Sequence, residues 1–258
     1  MRRDSEKPVA FVSAGAGGAG RTIVQRLASA GYRVATCDID RDAVTSLDGH
    51  AGAVTARQCD LSRPADVARV FGCLIEPLGR LDLLVNNVGI AGPTAPAEDV
   101  EVDEWEYTLR CNLTSHFVCA KLAIPLMKAR RSGAIVNISS ASVKVGLPMR
   151  LPYVVSKAAI LSMTTNLARE LGPFGVRVNA LLPGPIEGER LDRIVASKSK
   201  AVGVTAEAYR AEMLQFVSLR STVSPDDIAE AILYLASPAG ARVSGQCIGI
   251  DGNLEYEV

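Results

Sequence analysis

Nothing in the composition recruits a polyanion, a metal ion or a lipid bilayer. Lysine plus arginine equals aspartate plus glutamate at 28 each, so no net field draws in nucleic acid or an anionic membrane. Only two histidines are present, His50 and His116, and neither has neighbours at metal-ligand spacing, which argues against zinc and assigns no metal site. The six cysteines, Cys37, Cys59, Cys73, Cys111, Cys119 and Cys247, include no C-x-x-C pair. Four of them sit in apolar runs, the pattern of buried reduced thiols rather than of a disulfide framework. No apolar run approaches the roughly 18 residues of a membrane span. Arg2 and Arg3 have the look of an export signal, but the run behind them, Val9 to Ala14, is too short for its apolar region and dissolves into glycines. These absences predict a cytoplasmic protein with no nucleic-acid and no membrane partner. Repeats, low-complexity tracts and linkers are missing as well, so residues 1–258 read as one domain.

What is present is an alternation. With 48% hydrophobic and 22% charged residues the chain has an ordinary globular balance and can bury a core. Pro8 to Ser13 reads as a strand, followed by Ala-Gly-Ala-Gly-Gly-Ala-Gly and a helical pattern from Arg21 to Ala30. Gly15, Gly17 and Gly20 spell G-x-G-x-x-G, while a second register, G-x-x-x-G-x-G, uses positions 14, 18 and 20 and finds Ala14 in first place. Either register lets a backbone approach a pyrophosphate at a helix N-terminus, where free N–H groups and the dipole favour negative charge.

Tyr32 to Cys37 is the next strand, ending at Asp38, 18 residues after Gly20. At that spacing a carboxylate accepts from the adenosine ribose hydroxyls of NAD and repels the 2′-phosphate of NADP. NAD is therefore expected in preference to NADP. Asp40 is the better N-cap for the helix Arg41 to Leu47. Ala53 to Cys59 forms a third strand, with Ser62 as a fair N-cap for a helix over 63–78, and Leu81 to Val85 forms a fourth. Connections this short suit a parallel sheet built from right-handed crossovers.

A long helical pattern then runs from Val102 to Ala129, carrying Asn112 in its middle and interrupted only by Pro125. Gly133 to Ser140 reads as a buried strand ending in two hydroxyls, and open α/β sheets place their chemistry at such ends. Tyr153 lies 13 residues beyond Ser140, with Lys157 one helical turn further. Alone, Tyr-x-x-x-Lys is an ordinary amphipathic pair. An ammonium held beside a phenol also favours the phenolate, which makes a usable proton carrier. A helix over 153–171, a strand over 176–182 and a charged helical excursion over 187–218 follow, the last at a strand's C-terminal end where it can fold over a ligand as a lid. Pro225 opens another helix, and 246–250 is the last strand.

The glycine turn, Asp60 with Leu61, Asn87 in Asn-Asn-Val-Gly, Asn112, Ser140, Tyr153 with Lys157, and Pro183-Gly184 stand in the order and spacing of the short-chain dehydrogenase/reductase family, which the chain resembles over essentially its whole length. The resemblance implies a single-domain, doubly wound Rossmann fold: a seven-stranded parallel sheet with helices on both faces and a small helical substrate lid. It implies that Ser140 binds the substrate oxygen and that Tyr153 is the acid/base. Lys157 is to lower the Tyr153 pKa and hold the nicotinamide ribose, while Asn112 orders a water relaying protons to Lys157. Cofactor contacts are implied at Ser13, Gly15, Gly18, Ala19, Gly20, Asp38, Asp60, Leu61, Asn87, Gly89, Pro183, Gly184 and Ile186. The long helices bearing Asn112 and Tyr153 resemble the family's dimer faces, and the last strand the second contact of a tetramer, so a homodimer or homotetramer is expected.

Three departures from the family pattern stand out. Ser13 and Ala14 replace Thr-Gly, adding a methyl at the tight turn; Gly188 replaces a threonine, removing a hydroxyl donor to the cofactor; and Pro152 should hold Leu151 extended. The reaction expected is reversible hydride transfer between NAD(H) and a secondary alcohol or its ketone. Rival readings are an NADPH-dependent reductase of 3-oxoacyl chains and a nucleotide-binding regulatory protein without turnover. Of Lys144, Met149 and Arg150, an inward-facing Arg150 favours a carboxylate or sulfonate substrate; facing outward it is a solvated base.

Overall fold

The inner runs set aside as strands are buried on both faces, as a parallel sheet flanked by helices requires, while the two edge runs, Val54–Gln58 and Cys247–Ile250, are partly exposed. In the computed structural model, which describes residues 7–255, β1 (Val9–Ser13), β2 (Arg33–Asp38), β3 (Val54–Gln58), β4 (Leu83–Asn86), β5 (Gly133–Ile138), β6 (Val176–Pro183) and β7 (Cys247–Ile250) form one parallel sheet in the order β3-β2-β1-β4-β5-β6-β7. Arg2 and Arg3 lie outside the described residues. The order reverses between β1 and β4, and that switch point opens a crevice at the carboxyl ends of the strands. Side chains alternate along each strand. Ala10 and Val12 of β1 pack on one layer, with Ile23, Val24 and Leu27 of α1 (Gly18–Ser29) and Ile228 and Ile232 of α10 (Pro225–Ala236), while Val9 and Phe11 face the other. There Phe11 meets Phe71 of α3 (Pro64–Leu74) at 5.4 Å between ring centroids, tilted by 59°.

Caps set several boundaries. Asp40 accepts from the amides of Asp42 and Ala43 and starts α2 (Arg41–Leu47). Ser224 and Asp227 form a reciprocal capping box ahead of α10 (Pro225–Ala236). Ser62 does not cap α3: its amide and hydroxyl both donate to Asp60 Oδ1, at 2.9 and 2.6 Å, and the helix begins without a side-chain cap at Pro64. The local aspartate turn outcompetes the helix end for that hydroxyl, and proline at the first position has no N–H to be capped.

The long helix expected over 102–129 is two. α4 (Val102–Leu109) gives way to a widened π-helical turn, Arg110–Thr114, in which the Ser115 amide reaches back five residues to the Arg110 carbonyl; α5 (Ser115–Arg130) then continues through Pro125. The interruption therefore falls at Asn112 rather than at the proline. Likewise α7 (Leu151–Leu171) begins before Tyr153. Leu151 is helical rather than extended, because Pro152 sits in the first turn, where a missing N–H costs no hydrogen bond. A short helix, α6 (Ser142–Val145), follows β5, which ends at Ile138 and leaves Ser140 beyond it. The charged excursion forms α8 (Glu189–Val202) and α9 (Ala206–Gln215).

Candidate active site

The glycine turn selects between its two registers. Ala14 (φ 52°) and Gly18 (φ 49°) are left-handed, and a Cβ on Gly20 would lie 2.2 Å from the Ala14 carbonyl oxygen. Gly17, at φ −128°, has open space around it. The demanding positions are thus 14, 18 and 20, with Ala14 carrying a methyl where the conformation favours glycine. Gly15 is needed separately, since a Cβ there would meet Thr36 Oγ1 at 2.2 Å. No side chain caps α1, so its first-turn amides, around Gly18, Ala19 and Gly20, are free to meet an anion.

Around this turn the predicted contacts converge from neighbouring strand ends. The buried Ser13 hydroxyl accepts from the Asn87 and Val88 amides at 3.0 and 3.2 Å, so Ser13 acts through that loop and presents no surface of its own. Asn87 returns the grip, its Nδ2 donating to the carbonyls of Ala14 at 2.9 Å and Ser13 at 3.3 Å. Asp38 ends β2 and accepts from the Ala16 amide at 3.1 Å, which puts its carboxylate beside the glycine turn. Asp60 and the buried Leu61 follow β3, the next strand. Free helix-start amides, a carboxylate and an apolar side chain thus converge on one crevice, a set of residues that would fit a dinucleotide.

The second half of the site is built where β4, β5 and α7 meet. Ser139 donates its amide to Leu181 O at 2.8 Å and Ala141 donates to Pro183 O at 2.9 Å, which fixes Ser140 between two sheet-like bonds. The Ser140 hydroxyl accepts from the Ser142 amide at 3.2 Å, leaving its own proton to donate. Tyr153 lies half-buried in the first turn of α7, and Lys157 is buried one turn on. Lys157 Nζ donates to Ile138 O at 2.9 Å, and its main-chain carbonyl accepts from Ser139 Oγ at 2.8 Å. Among the described residues no hydrogen bond joins the phenol to the ammonium, although the two share a helix face. Burial, reinforced by the Arg190 guanidinium, lowers the Lys157 ammonium to about 7. His116, buried with Nε2 3.0 Å from Val88 O, is lowered to about 3 by burial and then by Lys157, so it is neutral.

Asn112 is fully buried in the π-helical turn, its Oδ1 accepting from Ile90 N at 2.7 Å and its Nδ2 donating to Ile90 O and Ser156 Oγ at 3.0 Å each. Both amide protons are thereby used, so any water it orders must use the spare Oδ1 lone pair or the main chain. Gly89 sits between this unit and Lys157: a Cβ on it would lie 2.9 Å from Lys157 Nζ. The Pro183-Gly184 end of β6 is braced by the chain's last strand. Gly184 N donates to Ile250 O at 2.9 Å, and the buried Asp251 pairs with Lys144 of α6 at 2.9 Å. Ile186 bridges to Val223.

Two site features had no clear signal in the sequence. Ile90 contributes only its backbone, and Arg190, one of many charges in α8, places Nη1 3.5 Å from Gly89 O. A cavity of about 420 Å³ lies between α8 and α9, lined by residues such as Val195, Arg210 and Leu214, and none of the predicted site residues borders it. Among the described residues no group of three or more His, Cys, Asp or Glu side chains is arranged to hold a metal ion, and no helix is long and apolar enough to cross a membrane.

The enoyl-(acyl carrier protein) reductase family model matches residues 14–254. The chain is 31% identical over 253 residues to the 3-oxoacyl-[acyl-carrier-protein] reductase of Thermotoga maritima, covering 96% of this chain and 98% of that one. The chain belongs to the short-chain dehydrogenase/reductase family. It is an oxidoreductase, and solved structures share its fold throughout. An actinorhodin polyketide ketoreductase with NADPH superposes with a TM-score of 0.91 at 28% identity, covering 98% of this chain and 99% of that one. An NAD⁺-bound xylitol dehydrogenase gives 0.88 at 27% identity, covering 97% and 100%. The Rossmann-type sheet and its crevice are therefore the common frame of short-chain dehydrogenase/reductases that hold either nicotinamide cofactor.

Proposed function

We propose that the protein is an NAD-dependent dehydrogenase/reductase of secondary alcohols and their ketones, with Tyr153 as the acid/base. The observation that carries this reading is the buried Lys157 ammonium, held by Ile138 O against Gly89 one helical turn from a half-exposed tyrosine. When bound, the nicotinamide ring accepts or returns the hydride. The chain's own residues handle the proton and the oxygen. Tyr153 as phenolate takes the hydroxyl proton of the alcohol, and Ser140 donates a hydrogen bond to the oxygen on which charge develops. Lys157 supplies positive charge that favours the phenolate and holds the ribose. Asn112 keeps the Ile90 loop in place and orders water toward Lys157.

NAD is favoured over NADP by Asp38, whose carboxylate stands beside the glycine turn, where a 2′-phosphate would be repelled. A second reading, NADPH-dependent reduction of 3-oxoacyl chains, is supported by the likeness to the Thermotoga maritima reductase and to the NADPH-bound ketoreductase. Initial rates with NAD and NADP across a panel of acidic and neutral secondary alcohols and ketones separate the two. Tyr153→Phe is expected to lower turnover by at least about 10²-fold with NADH binding largely retained. A variant keeping more than about a tenth of the wild-type rate removes Tyr153 from the acid/base role. We also propose a homodimer or homotetramer, because Tyr107 of α4 and Phe117 of α5 are exposed apolar groups at 46% and 51%; light scattering that finds a monomer counts against it.

A further inference from the structure

Between Ser140 and Tyr153 the chain makes a turn whose strain has a purpose to be found. Met149, which is not glycine, adopts φ 65°, a conformation that persists only where its surroundings hold it. It is held from one side: Ala95 donates its amide to Met149 O at 3.0 Å, and Arg150 Nη1 donates to Thr94 Oγ1 at 2.7 Å. The latch fixes the Arg150 guanidinium 5.9 Å from the centroid of the Tyr153 ring. Its Nε is buried without a hydrogen-bond partner, an unmet donor next to the reacting position. Arg190, at the start of α8, leans over Gly89 from the lid. Burial and then the nearby Arg190 guanidinium disfavour the charge on Arg150, and the same two causes act on Lys157.

Arg190 therefore lies within electrostatic reach of both Arg150 and Lys157, and the ion pairs found among the described residues engage none of the three. Lys144, the other base on this segment, is already committed to Asp251. Like charges gathered without a counter-ion oppose folding unless a ligand supplies one. We propose that Arg150, backed by Arg190, receives an oxyanion carried by the substrate itself, so that the enzyme acts on short hydroxy or keto acids or sulfonates. This rests on the reading of Tyr153 as the acid/base. The planar guanidinium suits a carboxylate or sulfonate through its two-pronged donor geometry. Its position beside the ring requires the anion and the carbinol carbon to be close together in one small molecule, unlike a long acyl thioester.

The test is calorimetric titration of the enzyme with NADH bound, using butyrate and propane-1-sulfonate against neutral butyramide. Both oxyanions are expected to bind at least about tenfold more tightly than the amide, and Arg150→Gln to weaken them by about 10- to 100-fold, the range for losing a charge-assisted hydrogen bond. Arg150→Lys should restore part of the loss. In turnover, the preference for a 3-hydroxy acid over its methyl ester should fall by a similar factor in Arg150→Gln, expressed mainly in KM. Equal binding of amide and anions, no measurable binding of either, or unchanged anion binding in Arg150→Gln overturns the proposal. The two readings fail separately. If NADH binds and Tyr153→Phe is inactive while the anion preference is absent, only the oxyanion site is lost. If NADH does not bind, the dehydrogenase reading is lost, and the same titrations on the free enzyme still decide the role of Arg150.

Discussion

Asn112 grips Ile90 by both of its backbone polar groups, accepting from its N–H at 2.7 Å and donating to its carbonyl at 3.0 Å. The pairing is that of a strand, supplied by one side chain, and it tethers the loop after β4 to the π-helical turn. Asn112→Ala leaves two backbone groups without partners in a buried setting. The expected cost is about 2 to 4 kcal/mol, read by urea denaturation, with a loss of activity larger than the fraction unfolded explains. A variant as stable as wild type removes the tether from the account.

Ala14 is a methyl-bearing residue in a left-handed turn. Ala14→Gly relieves that conformation, and the greater freedom of glycine in the unfolded chain offsets part of the gain. The net stabilisation expected is up to about 1 kcal/mol, seen as a higher denaturation midpoint with an unchanged slope. Gly20→Ala should do the reverse, because its Cβ would run into the Ala14 carbonyl, and it should weaken NADH binding as well.

Lys157 carries a pH signature. Its folded-state pKa of about 7 lies below the 10.5 of the free side chain, chiefly through burial. Between those values the folded protein binds fewer protons at this site than the unfolded chain, so the lysine's contribution to stability becomes more favourable as pH rises from 7 toward 10. Relative to Lys157→Met, wild type should gain stability across that window, by an amount on the order of a few kcal/mol. Denaturation midpoints of the two proteins at pH 7 and pH 9 measure it. A constant difference contradicts the lowered pKa.

The proposed preference for NAD rests on Asp38. Asp38→Ser should lower the ratio of kcat/KM for NAD to that for NADP by at least about tenfold, since each 1.4 kcal/mol of lost discrimination is a factor of ten. Because the carboxylate also takes the Ala16 amide, affinity for NAD should weaken in the same variant, and the ratio is the quantity to read.

The strands, the glycine turn and the order of the site were legible because each rests on a local signal. Apolar runs ended in residues that cannot continue them, and Asp40 capped its helix as its side chain dictates. What escaped the sequence was decided by competition between distant groups. Ser62 is a good cap by type, yet Asp60 took both of its donors. The π-helical turn at Arg110–Thr114 has no marker in its own residues, for it accompanies a side chain that leaves the helix to serve Ile90. Pro125 and Pro152 looked like breaks and were not, one inside α5 and the other where α7 needs no amide. The i,i+4 spacing puts Tyr153 and Lys157 on one helix face, but the bond from the ammonium to Ile138 O, made across to another element, has no trace in that spacing.

The brace from β7 sets an order in time. Ile250 and Asp251 hold the Pro183-Gly184 turn and, through Lys144, the short helix that follows Ser140. A nascent chain emerging from the ribosome makes the strands around the glycine turn first and these supports last. Until that final strand is in place, the serine's surroundings have neither anchor, so a prematurely terminated product carries the glycine turn without the brace behind Ser140.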